Sequence, residues 1–68
     1  MTVWDFMKKM GKDKKWNIKE HTTDITKGEP TSISDLEISY EERKPVLDAL
    51  EYQVLTVDMA EGTIYCER

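Results

Sequence analysis

Residues Tyr52 to Arg68 constrain this chain more than any other stretch, because their alternation fixes a β-hairpin. Leu55, Val57 and Met59 alternate with Thr56, Asp58 and Ala60. After Glu61-Gly62, Ile64 and Cys66 alternate with Thr63, Tyr65 and Glu67. Period-two alternation of this kind marks strands with one apolar face. A two-residue turn at Glu61-Gly62 sets Met59 opposite Ile64 and Val57 opposite Cys66, so that every large aliphatic from Leu55 onward shares a face. A three-residue loop of Ala60-Glu61-Gly62 would split that face. The favoured register is therefore the two-residue turn or a four-residue variant of the same parity. Such a ribbon requires a cover for its Leu55/Val57/Met59/Ile64/Cys66 side.

The N-terminus offers one. Thr2 and Asp5 have capping-box spacing, and Val3, Phe6, Met7 and Met10 follow at the i, i+3, i+4, i+7 spacing of one helix face. Gly11 supplies a stop. A helix this short is marginal alone, so packing against the hairpin must hold it. Beyond the polar turn Lys12-Asp13-Lys14-Lys15, the residues Trp16, Ile18 and Glu20 alternate with Asn17, Lys19 and His21 as a half-buried strand. Thr22 to Gly28 could return as a second short strand, with Ile25 its one strong apolar residue. Glu29-Pro30-Thr31-Ser32 is a break, and Ile33, Leu36 and Ile38 then carry apolar weight without a firm period.

Ser39 and Glu42 offer a second capping box, with Tyr40, Val46, Leu47 and Leu50 as a possible helix face. Proline is costly inside a helix and harmless in its first turn, so Pro45 argues for a turn over 40–44 and a short helix from Pro45 to Leu50. The order of elements gives a single α+β domain over 1–68. Its mostly antiparallel sheet of three to four strands is packed by the N-terminal helix, and a short helix precedes the C-terminal hairpin. The sheet's other face, carrying Tyr52, Val54, Thr56 and Tyr65, is more apolar than a solvated surface needs to be. Tyr52, Val54 and Tyr65 are the candidate contacts for a second copy or a protein partner.

Sixty-eight residues bury only about 60% of the surface of the unfolded chain, which makes self-association an expectation. Cys66 is the single cysteine and His21 the single histidine, so neither an internal disulfide nor a histidine-pair metal motif can form. This usage fits a reducing cytoplasm. No apolar run approaches the roughly 18 residues of a membrane span. Nor does the N-terminus read as a signal peptide, since Lys8-Lys9 follow Phe6-Met7 directly.

Catalysis finds little to work with. Cys66 falls on the apolar side of the hairpin, where cysteine behaves as a small hydrophobe, and His21 reads as a polar residue at a strand end. Glu41-Glu42, Asp35/Glu37 and Glu20/Asp24 are near neighbours in sequence but read as solvated acids. The phosphate-cradle and nucleophile-elbow signatures are absent. The expectation is a non-enzyme without cofactor or metal.

Charge is unevenly distributed within a net −4: residues 1–27 hold seven lysines against four acids, and residues 28–68 hold three basic residues against ten acids. Lys8, Lys9, Lys12, Lys14 and Lys15, flanked by Trp4 and Trp16, are the candidate binding residues for a nucleotide-like ligand or nucleic acid. Lysines near a helix C-terminus are also favoured by the helix dipole alone. The acidic half, with Asp35, Glu37, Glu41, Glu42, Asp48 and Glu51, suggests instead a negative surface offered to a basic groove on a partner protein.

A capped start at Thr2-Val3-Trp4-Asp5-Phe6, a strand, a brief helix and a closing hairpin of Val54-Leu55-Thr56-Val57 with Thr63-Ile64-Tyr65 resemble a loose class of very short proteins from phages and mobile elements. Thr22 to Ser34 departs from that pattern. The resemblance implies an accessory protein of the host cytoplasm, acting without catalysis. It would antagonise bacterial defence by stoichiometrically occupying an effector or sequestering a nucleotide signal, with a small structural subunit as the alternative.

Overall fold

A computed structural model describes residues 1–38 and 43–68. Its elements, in chain order, are α1 (Val3–Met10), β1 (Asn17–Glu20), β2 (Thr23–Asp24), α2 (Ile33–Ile38), α3 (Lys44–Ala49), β3 (Gln53–Asp58) and β4 (Thr63–Glu67). The strands form one sheet in the order β2-β1-β4-β3. Its outer pairs are antiparallel, and the central pair, β1 with β4, is parallel.

α1 forms where its sequence pattern places it, with the reciprocal capping box between Thr2 and Asp5 and a stop at Gly11. A helix leaves its first four N–H groups without an internal acceptor. Here Val3 N donates to Tyr52 O (2.9 Å) and Trp4 N to Leu50 O (3.0 Å), while Asp5 N donates to the Thr2 hydroxyl and Phe6 N to Thr2 O. The helix is thus tied to the α3–β3 junction through its backbone as well as its side chains. Met1 lies beside β3, its carbonyl accepting from Val54 N.

Val3 and Met7 of α1, Ile33 and Leu36 of α2, and Val46, Ala49 and Leu50 at α3 converge on Trp16, Ile18, Ile64 and Cys66 of the sheet to make a single core. Across the strands, Ile18 sits opposite Ile64 and Ile64 opposite Val57, so the middle row of that core is aliphatic on three adjacent strands. The opposite sheet face carries Lys19, Thr56, Asp58, Thr63 and Tyr65, which read against each other in register.

The hairpin keeps the expected parity but takes the four-residue variant of its loop. Asp58 pairs with Thr63 and Val57 with Ile64. The Asp58 carboxylate accepts from both Ala60 N and Glu61 N at 3.1 Å, and Gly62 closes the loop at φ +68. An Asp that holds two backbone donors stabilises a longer loop than Glu61-Gly62 alone would. A bulge between Val54 and Thr56 then shifts the register. It turns Leu55 out to 53% exposure, leaves Met59 56% exposed in the loop, and brings Val54 over Cys66 on the core side. The buried face of the hairpin is therefore Val54/Val57/Ile64/Cys66, not the Leu55/Val57/Met59/Ile64/Cys66 set read from alternation. A bulge inserts one residue without a local sequence mark.

α2 is a helix where the sequence showed no firm period. Ser32 and Asp35 form a second reciprocal box, Asp35 N donating to Ser32 Oγ (3.1 Å) and Ser32 N to Asp35 Oδ2 (3.2 Å). The Ser32 hydroxyl and backbone N–H, with Lys15 3.6 Å away, hold the Asp35 carboxyl below its ordinary value. Replacing Ser32 with Ala should cost about 1 kcal/mol of stability. For a domain of this size that is a fall in Tm of roughly 4–8 °C, readable by circular dichroism.

α3 begins at Lys44 with Pro45 in its first turn, as the proline rule requires. The Ser39–Glu42 capping box and the contribution of Tyr40 lie outside the described residues. β2 is only two residues long because a side chain takes over from the ladder. The buried Thr26 hydroxyl accepts from Ile18 N (3.2 Å) and donates to Asp24 (2.9 Å), with Asn17 Oδ1 also in reach at 3.1 Å. Among the described residues, no helix is long and apolar enough to cross a membrane.

Candidate functional site

The lysine-rich segment forms the C-terminal end of α1 and the turn into β1. Lys8, Lys9, Lys12, Lys14 and Lys15 are all exposed there. The two tryptophans do not flank it as equals. Trp4 is 37% exposed, with the Lys8 ammonium 5.8 Å from its ring centre. Trp16 is fully buried, edge-on to Phe6 at 5.2 Å, and the Lys14 ammonium caps its ring at 5.3 Å. Its backbone exchanges two hydrogen bonds with Thr31. An indole enclosed this way presents no face to a base, so Trp16 leaves the set of candidate stacking residues and joins the core.

The three proposed interface residues are also parted. Tyr52 and Val54 pack against the core, and Arg68 lies over the Tyr52 ring at 5.6 Å. Tyr65 lies on the opposite sheet face, paired with Lys19 and Thr56. The bulge is the physical cause, because it moves Val54 to the side away from Tyr65.

Cys66 is fully buried, and its thiol lies 3.5 Å from Lys19 O. Burial, with the nearby Glu20 charge, pushes that thiol from 9.0 up to about 11. A nucleophile needs the thiolate, so this environment opposes reactivity. His21 sits exposed in the two-residue β1–β2 turn at φ +55. Among the described residues, no three His, Cys, Asp or Glu side chains are placed to hold a metal ion.

Sequence reasoning gave no sign of a cleft, of about 430 Å³, between the β1–β2 hairpin and α3. Glu20, Asp24, Ile25 and Lys27 line it from one side, Lys44, Pro45 and Asp48 from α3, and Tyr52 and Arg68 contribute as well. A second hollow of about 310 Å³ adjoins it, sharing Ile25, Lys27 and Pro45, and adds Glu29 and Arg43. Two ion pairs lie among these lining residues: Arg68 to Glu20 at 3.2 Å and Arg43 to Glu29 at 3.5 Å. The groove draws on the β1–β2 hairpin, α3 and the chain's last residue, so no contiguous motif announces it.

No family model, no curated protein and no solved structure matches this chain.

Proposed function

We propose that the protein is a non-catalytic binding protein that acts by stoichiometric occupation, meeting an acidic protein surface with the lysine-rich end of α1. The observation that supports this is the exposure of five lysines on one short segment. Among the described residues only Lys15 has a carboxylate partner, while Lys8 and Lys14 lie over indole rings. Spread over aromatic faces, these ammonium groups are oriented without being neutralised. The net charge of −4 opposes indiscriminate binding to polyanions and favours a partner whose acidic patch meets this end alone.

Of the two tryptophans only Trp4 remains to stack on a base, so an acidic protein surface suits the site better than a nucleic-acid strand. The resemblance to short phage proteins supports a setting in which the partner is an effector of bacterial defence. A homo-oligomer would repeat the lysine end and raise its avidity.

The test replaces Lys8, Lys9 and Lys12 with Gln, leaving Lys14 and Lys15 to their structural contacts. Fluorescence anisotropy with a labelled poly-glutamate peptide and a labelled oligothymidine then reads both partner classes. The wild type should bind the acidic peptide more tightly as salt is lowered. The triple variant should lose about tenfold or more in affinity with its circular dichroism unchanged. Equal binding by the variant removes the reading, and tighter binding of the oligothymidine would transfer it to nucleic acid.

A further inference from the structure

The cleft beside α3 is distinct in its residues from the lysine end, and its charges are not equally available. Arg68 engages Glu20 at 3.2 Å. Asp24 is committed to its own turn, accepting from the Thr26 hydroxyl at 2.9 Å and from Gly28 N at 3.0 Å. Among the described residues Lys27, Lys44 and Asp48 have no ion pair. Among the described residues, then, the cleft presents two cations and one carboxylate without an ion pair, beside the apolar surfaces of Ile25, Pro45 and Tyr52. Its volume falls in the range of small-molecule sites.

Lys27 lines both hollows. It does so from a left-handed backbone at φ +53, next to Gly28 at φ +78. A lysine pays for that conformation, and the residue suited to it is glycine. The turn is built to hold it: Lys27 N donates to Asp24 O (3.2 Å), Glu29 N to Thr26 O (3.0 Å), and the buried Thr26 hydroxyl anchors the loop to β1. An ammonium carried at a strained position by an anchored loop, into a cleft whose facing wall carries a second one, is the arrangement that receives an anion.

We propose that this cleft binds a small molecule bearing one anionic group, carboxylate or phosphate, on a ring-sized body with a hydrogen-bond donor at its other end. Lys27 and Lys44 take the anion, Ile25, Pro45 and Tyr52 pack the body, and Asp48 accepts from the donor.

The experiment is a titration of the ¹⁵N-labelled protein, followed by its amide resonances, with two probes that share this chemistry: adenosine monophosphate and 4-hydroxyphenylacetate. At least one should saturate, with shifts confined to 24–28, 44–48 and Tyr52, and the preferred probe tells phosphate from carboxylate. Lys27→Gly removes the ammonium while relieving the backbone, so it should lower the affinity about tenfold without lowering Tm. Lys44→Gln should weaken binding in the same direction. Failure of both probes to saturate by about 10 mM would overturn the proposal. So would undiminished binding by Lys27→Gly, or shifts mapping to Lys8–Lys15. Because the lysine-end variant leaves Lys27 and Lys44 in place, the two sites stand or fall separately.

Discussion

Trp16→Ala should leave the chain largely unfolded at room temperature. The indole is the largest fully buried side chain, and it touches the N-terminal helix through Phe6 while its backbone is tied to Thr31. Removing such a ring costs about 3–5 kcal/mol through lost transfer free energy and an unfilled cavity. A domain of this length has roughly 3–10 kcal/mol in all. Urea denaturation followed by far-UV circular dichroism should show a transition displaced to very low denaturant or absent altogether. A cooperative melt close to the wild type's would mean that Trp16 is not the keystone its burial indicates.

Trp16→Phe sharpens the same argument. Among the described residues the indole Nε1 is buried with no hydrogen-bond partner. An unsatisfied buried donor costs about 1–3 kcal/mol, and phenylalanine removes it while keeping most of the ring. The Phe variant should therefore retain far more stability than the Ala variant, with the lost ring area and the relieved donor partly offsetting each other.

Ile64→Ala should be the next most damaging change, at about 2–5 kcal/mol. Ile64 is fully buried on β4 between Ile18 on β1 and Val57 on β3. Ile18→Ala should cost a similar amount, since that side chain is equally enclosed. The two changes together should cost measurably less than the sum of the singles, because neighbours that share a cavity couple by about 0.5–3 kcal/mol. Strict additivity would contradict the pairing of Ile18 with Ile64 that sets β1 beside β4, so the double-mutant cycle tests the adjacency of the two strands.

That pairing was the part of the fold least legible in the sequence. α1 could be read because its capping box, apolar stripe and terminal glycine lie within ten residues. The short helix at Pro45 followed from the restricted geometry of proline. The parity of the hairpin followed from alternation. Each of these signals is local. The parallel β1–β4 ladder joins segments far apart in the chain, and no residue in either strand names its partner.

α2 is a different case. Ser32 and Asp35 carried a capping signal at the right spacing, which the adjoining Pro30 break obscured. The same division holds for the candidate sites. The lysine cluster is contiguous and was visible, whereas the burial of Trp16 depends on Phe6, Thr31 and Lys14 together, and the cleft exists only once three separated segments meet.

The parallel ladder also dictates the order in which this chain can become a protein. Its two central strands, β1 and β4, are far apart in sequence, so closing the sheet means first closing a loop that contains both α2 and α3. Long loops of this kind slow folding, because their entropy is lost before their contacts form. β1 can pair early with the nearby β2, but its other edge stays open until β4 pairs with it. A fragment lacking Thr63–Glu67 would have the helices but neither the strand that joins β1 to β3 nor the Ile64 and Cys66 surface the helices pack on.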